Sequence, residues 1–95
     1  MKKLNKAVAK IQKAIDELDK AILTKDEKVL SVSSINQLSN FKESFLTVLR
    51  LIQSDNTPPK NERVLGIARV VADQWPFNFE LGSIIIDAEQ AYKEI

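Results

Sequence analysis

The first quarter of the chain combines apolar and basic residues at helical spacing. Six apolar residues follow one another at intervals of 4, 3, 4, 3 and 4, namely Leu4, Val8, Ile11, Ile15, Leu18 and Ile22. At about 100° per residue, these positions form one stripe along a helix. Lysines fall on roughly the opposite side, at Lys3, Lys6, Lys10, Lys13 and Lys20. The pattern predicts a long amphipathic helix from about Lys3 to Leu23.

Two hydroxyl residues then mark possible helix starts. Thr24 is followed three residues later by Glu27, which has the form of a capping box and predicts a short helical turn or the start of the second helix. Ser34 followed by Gln37 is a second possible box. Apolar residues continue from there at helical spacing, at Ile35, Leu38, Phe41, Phe45, Leu49 and Ile52. Additional apolar positions widen this face, so we expect the second long helix to touch two neighbours.

The clearest loop is 54–59, and it precedes a third helical pattern. We expect Thr57 to cap that helix with Pro58 at its first position, where the missing amide costs nothing. One face of the helix carries Val64, Ile67, Ala68, Val71 and Trp75. Pro76 ends the helix, because the residue before a proline is pushed out of the α region.

A fourth helical pattern completes the chain, and Asn78 is the expected cap. Its apolar face is formed by Leu81, Ile84, Ile85, Ala88, Tyr92 and Ile95. Gly82 costs this helix about 1 kcal/mol relative to alanine. The glycine either permits a close helix crossing or stands at a position that is not optimised, and the sequence leaves both interpretations open.

Long amphipathic segments joined by short loops are typical of helical bundles, since short connections make neighbouring helices antiparallel. The sequence has neither strand alternation nor a repeat of fixed period. We therefore predict an all-α protein, a single domain over residues 1–95 that forms an antiparallel up-down-up-down four-helix bundle.

The chain contains neither cysteine nor histidine. Their absence excludes disulfides, thiol nucleophiles, Cys/His zinc sites and acid–base catalysis by histidine. Adjacent acids such as Asp16 and Glu17 do not face each other on a helix, and the chain has no Gly-rich phosphate loop. We expect no enzyme activity, metal site or cofactor. Small secreted domains usually carry disulfides, so we expect a cytosolic protein.

Charge is uneven along the chain although its net value is only +1. Residues 1–13 hold five lysines and no acid, whereas residues 73–95 hold five acids and one lysine. The basic face of the first helix is either a solvated surface or a contact for an acidic partner or a membrane surface. Nucleic acid is not expected, because the chain is nearly neutral and no aromatic residue lies among the lysines. The basic start is not followed by an apolar run, so we do not expect a signal peptide.

Aromatic residues concentrate in one turn, Trp75-Pro76-Phe77-Asn78-Phe79. We refer to residues 75–79 as the aromatic corner. Trp75 is in phase with the apolar face before it, so we expect it to close one end of the bundle. Phe77 lies in the turn itself and is the best candidate for an exposed binding anchor.

The order of these features resembles a known family. The elements in order are a long helix with Phe41, Phe45, Leu49 and Ile52, a polar turn 53–58, a third helix, the aromatic corner and a last helix with Leu81, Ile85, Ala88 and Tyr92. This order is similar to that of the immunity proteins of pediocin-like bacteriocins, the enterocin A immunity family. The length and the Lys-rich start fit as well. The family consists of small cytosolic four-helix bundles without catalytic residues.

This resemblance implies a protein that protects its producer from a pore-forming peptide. Such proteins are thought to engage the peptide's receptor, the membrane mannose-phosphotransferase permease, from inside the cell. The C-terminal half of the family is associated with recognition of the cognate bacteriocin system. Our candidate partner-binding residues are therefore Phe77, Phe79, Tyr92 and Lys93, together with Lys3, Lys6, Lys10 and Lys13 on the basic face.

Two alternatives do not depend on the resemblance. A non-catalytic helical adaptor or regulator would bind a soluble protein partner with the same surfaces. A self-associating bundle subunit would use the regular apolar seam of the first helix. We expect a monomer, with peripheral membrane contact on the inner face as an additional property of the immunity hypothesis.

Overall fold

Five α-helices and one 3₁₀ turn make up the fold, in a computed structural model that describes residues 2–95, with side chains from Leu4 onward. The helices are α1 (Lys2–Thr24), α2 (Glu27–Leu30), α3 (Ile35–Gln53), α4 (Ile67–Gln74) and α5 (Glu80–Lys93), and the 3₁₀ turn is Lys60–Glu62. Residues 2–95 contain no β-strand. The all-α prediction is confirmed.

Helix α1 is the central element of the bundle, because it packs against both α3 and α5 while α4 packs against α5. Its 23 residues span about 35 Å at 1.5 Å per residue, which matches the 37 Å length of the molecule. The last part of α1 contacts the first half of α3, through Asp19 and Lys42, and it lines one groove together with the first residues of α5. The start of α4 contacts the second half of α5, through Ala68 and Glu89. The four longer helices are therefore antiparallel in up-down-up-down order, as predicted.

The buried stripe of α1 is rotated from the predicted one. Its centre consists of three alanines alternating with two larger residues, Ala7, Ile11, Ala14, Leu18 and Ala21, all at most 6% exposed. Leu4, Val8 and Ile22 are only half-buried and flank this line. The line of small alanine side chains thus lies within the buried surface of α1, which packs against α3 and α5.

Three predicted helix starts need correction, and one is confirmed. Ser34 caps α3 by accepting a hydrogen bond from the N–H of Gln37, as predicted. Thr24 does not cap α2, because it is the last residue of α1 and its hydroxyl donates to the carbonyl of Lys20. Asp26 caps α2 instead, accepting from the N–H groups of the second and third helical residues.

The third helix begins later than predicted. Thr57 and Pro58 lie in irregular structure, and α4 starts only after Gly66, whose φ of 78° lies in the left-handed region. Pro58 precedes Pro59 and is itself kept out of the α region, so no helix starts there. Val64 was assigned to the apolar face, but it lies before Gly66 and is 67% exposed.

The last helix begins at Glu80, with Phe79 as its N-cap residue and no side-chain capping bond. The assignment of Asn78 as the cap is therefore wrong. The N–H of Phe79 donates to the carbonyl of Pro76, which closes a tight turn and leaves Asn78 exposed within it. Residue preference alone favoured Asn78 over Phe79, but the turn fixes where the helix can begin.

Trp75 closes the bundle as predicted, and it is 5% exposed. Its replacement by alanine should lower the free energy of unfolding by about 3–5 kcal/mol, since a large buried ring leaves a cavity. Urea denaturation measures the change. Phe77→Ala is the matched control two residues away, and it should change stability by less than about 0.5 kcal/mol because Phe77 is 98% exposed. A loss below about 1 kcal/mol for Trp75→Ala would contradict the packing role.

Candidate functional site

The aromatic corner is held by packing on both sides of Trp75. The backbone at Trp75 is extended, with φ −99° and ψ 148°, because Pro76 follows it. Its ring lies 6.3 Å from the ring of Phe41 on α3 and 6.4 Å from that of Phe79, the second in an edge-to-face arrangement. Such pairs contribute about 0.5–1.5 kcal/mol beyond burial. Trp75 thus connects α3 to the corner between α4 and α5.

A close helix crossing brings the corner against α5. An added Cβ at Gly82 would lie 3.1 Å from Cγ1 of Val71 and 3.6 Å from the Trp75 ring. Gly82 is buried between these side chains, so the structure supports the close-crossing interpretation of this glycine. Because the crossing is tight, the corner has one well-defined position relative to α5.

Phe77 projects from this fixed corner and is 98% exposed. Phe79, only two residues away, is half-buried against Trp75. The two phenylalanines therefore differ: Phe79 supports the corner, while Phe77 leaves its whole ring available for contact. The expected exposure of Phe77 is confirmed, and its proposed binding role stays a prediction.

The other predicted site residues lie elsewhere. Tyr92 and Lys93 are at the C-terminal end of α5, at the opposite end of the bundle from Phe77. Tyr92 is 2% exposed, so it belongs to the core and offers no contact surface; this candidate is corrected. Its position in the apolar stripe of α5 explains the burial. Lys93 is half-exposed, with its Nζ 3.7 Å from Oε2 of Glu89.

The basic face of α1 forms a separate surface along the side of the bundle. Lys6 and Lys13 are exposed, and Lys10 is partly covered, with its Nζ 3.9 Å from Oδ2 of Asp87 on α5. The side chain of Lys3 lies outside the described residues. The structure thus groups Lys6, Lys10 and Lys13 on one side of α1, but it does not bring them to Phe77.

Two buried charged side chains were not singled out by the sequence pattern. Glu89 is 1% exposed and accepts hydrogen bonds from the N–H groups of Leu65, at 3.2 Å, and Ala68, at 2.8 Å. Arg63 donates through Nε to the carbonyl of Pro58 at 2.6 Å and through Nη1 to the main-chain oxygen of Ile95 at 2.7 Å. Both residues fix the segment before α4 through these hydrogen bonds.

Of these two buried charged residues, Glu89 could have been recognised from the sequence. Glu89 lies four residues after Ile85 and three before Tyr92, which places an acid inside the apolar stripe of α5. A charge in that position requires buried partners. Arg63 lies in irregular structure between a 3₁₀ turn and Gly66, where no periodicity indicates which way a side chain points.

The described residues contain no group of three or more acidic side chains that could hold a metal ion. Within residues 2–95, none of the helices combines the length and the apolar character needed to cross a bilayer. The side chains that stand out are an exposed aromatic at Phe77, the basic face of α1, and the buried groups of Glu89 and Arg63 that fix the segment before α4.

The sequence matches no protein-family model and no curated protein.

The titration of Tyr92 reports on the burial of its hydroxyl group in the core of the bundle. Burial raises the pKa of its hydroxyl above the ordinary value of about 10, and the positive charge of Arg63 opposes the shift. The folded state therefore holds the phenolic proton more tightly than the unfolded chain does. The stabilisation from this group is complete below about pH 10 and is lost as the pH rises through the folded-state pKa.

We expect the tyrosinate absorbance of the folded protein to appear at higher pH than that of the urea-unfolded chain. The reading is unambiguous because Tyr92 is the only tyrosine. Tyr92→Phe should lose less stability than the wild type over the same alkaline range, since it has no phenolic proton to release. Equal titration midpoints in the folded and unfolded chains would contradict the burial of Tyr92.

Proposed function

We propose that this chain is a cytosolic bacteriocin immunity protein, of the kind that protects against pediocin-like peptides. It would act from inside the cell on the mannose-phosphotransferase permease that serves as receptor for the pore-forming peptide. The role is one of binding, without catalysis or cofactor. The single observation that carries the proposal is Phe77, a fully exposed aromatic at the tip of a packed corner.

The physical argument concerns preorganisation. Binding usually costs free energy because interface side chains and loops must be ordered. The corner is already ordered by the packing of Trp75 against Phe41 and Phe79. An aromatic ring has few torsions to lose and a large area to bury, which makes it typical hot-spot material. Phe77 can therefore serve as an anchor in a pocket of a protein partner.

The basic face of α1 supports a location near the membrane. Lys6 and Lys13 are both exposed and lie seven residues apart, so they share one side of the helix. Each contributes about 1 kcal/mol of attraction to an anionic leaflet, which assists a protein contact without replacing it. The basic face would orient the bundle at the inner surface while Phe77 contacts the receptor.

A helical adaptor that binds a soluble protein is the second candidate. It is favoured by the acids at the same end as Phe77: Glu80 and Asp26 are both exposed there. Anionic lipid would repel this end of the bundle, whereas a protein partner need not. Co-purification with a soluble protein, and with no permease in detergent extracts, would favour the adaptor.

The decisive test of the immunity proposal is protection of a living cell. We expect the chain, expressed in a strain sensitive to pediocin-like peptides, to raise survival against at least one member of a panel of such peptides. Phe77→Ala should remove protection, since truncation of a hot-spot residue costs about 2 kcal/mol or more, roughly 30-fold in affinity.

Val64→Ala is the matched control for this test. Val64 is also an exposed apolar residue, at 67%, but it lies in the segment before α4, at the opposite end of the bundle. This variant should protect as well as the wild type, and both variants should retain the wild-type melting temperature. Unchanged survival across the whole panel with the wild-type chain would refute the immunity proposal.

A further inference from the structure

A groove of about 320 Å³ lies at the end of the bundle where α1 ends and α5 begins. It is bounded by α1, α2 and α5, and it is open to solvent on one side. Its apolar floor consists of Ala21, Val29, Leu81 and Ile84. The first two are buried and the last two half-buried, so part of this floor remains accessible to a partner.

The rim of the groove is acidic. Glu17, Asp26 and Glu80 line it together with a single base, Lys20. Among the described residues, none of these four side chains forms an ion pair. Asp26 uses one carboxylate oxygen to cap α2, which leaves its other oxygen free of capping bonds. The rim therefore keeps an excess of acids over bases, three to one, and no ion pair within the described residues involves any of them.

We propose that this groove binds a cationic amphipathic helix of a protein partner. The apolar stripe of such a helix would cover Leu81 and Ile84, and its flanking lysines or arginines would face Glu17 and Glu80. Helices commonly dock into grooves between other helices in this manner. Charge complementarity selects this occupant, because an anionic lipid surface or a nucleic acid would be repelled by the rim.

The groove is a different surface from Phe77, and the inference goes beyond the proposed function. It specifies the chemistry of the peptide segment that the groove binds, and this can be tested with the purified protein in solution. If the groove does not bind the peptide, the result of the protection test does not change. If the chain does not protect the cell, the peptide-binding test can still succeed.

The probe is a synthetic Leu/Lys amphipathic helix, with a Leu/Glu peptide of the same length and pattern as its control. We expect saturable binding of the Leu/Lys peptide in calorimetry and none of the Leu/Glu peptide. In heteronuclear NMR spectra of the wild type, the largest shift changes should occur at the groove residues, above all Leu81 and Ile84. This mapping needs no variant, so it remains decisive if a substitution disturbs folding.

A charge-matched pair of double variants separates the groove from net charge. Glu17→Gln with Glu80→Gln should weaken Leu/Lys binding about tenfold, since two facing charges are removed. Glu43→Gln with Glu62→Gln removes two exposed acids away from the groove and should change binding less than about twofold.

Three results would overturn the proposal. The two peptides could bind alike, the two double variants could weaken binding equally, or the shift changes could fall outside the groove. Binding of anionic phosphatidylglycerol vesicles through Leu81 and Ile84 would also overturn it, because it would make the occupant a lipid surface.

Discussion

Two hydrogen bonds to the carboxylate of Glu89 fix the start of α4 to α5, one from just before the helix and one from its first turn. One oxygen accepts from Leu65 and the other from Ala68. The N-cap of α4 is Gly66, which has no side chain to satisfy the first amides of the helix. A residue on α5 therefore performs the capping role that is normally local, and it joins the two helices as it does so.

Helix α4 depends strongly on the cap from Glu89 because it has only eight residues. A helix of that length is not stable in water by itself, and it requires packing and capping by its neighbours. Glu89 fixes its beginning, Trp75 fixes its end, and the close crossing at Gly82 fixes its distance from α5. Arg63 restrains the preceding segment against the chain end. The position of Phe77 follows from all of these contacts.

Local periodicity was sufficient to predict the long helices and the burial of Trp75. The uninterrupted pattern of α1 and the pairing of Trp75 with Pro76 are signals within a few residues of one another, and physical rules act on them directly. The start of α4 was not predictable in this way, because Val64 continues the apolar period across Gly66 although the backbone there is left-handed. Only the fold shows that Glu89 supplies the cap, since Glu89 and Ala68 are distant in sequence.

The candidate surfaces also divide into features that local sequence predicts and features that depend on how the helices pack. The exposure of Phe77 could be predicted from its place in a turn, and the burial of Tyr92 could be predicted from the apolar stripe of α5 that contains it. The groove between α1, α2 and α5 depends on how three helices meet, and no single segment indicates it. The rotation of the α1 stripe onto alanines likewise arises from the packing of its neighbours.

Amide hydrogen exchange at Ala68 tests the central role of Glu89 most directly. In the wild type we expect slow exchange at this amide. In Glu89→Ala, the protection of Ala68 should fall further than that of Ile11 in the α1 core, because α4 loses its cap and opens locally. Glu94→Ala, an exposed acid on the same chain end, should leave both amides unchanged. An Ala68 amide that stays as protected in Glu89→Ala as in the wild type would contradict the assignment of Glu89 as the cap of α4.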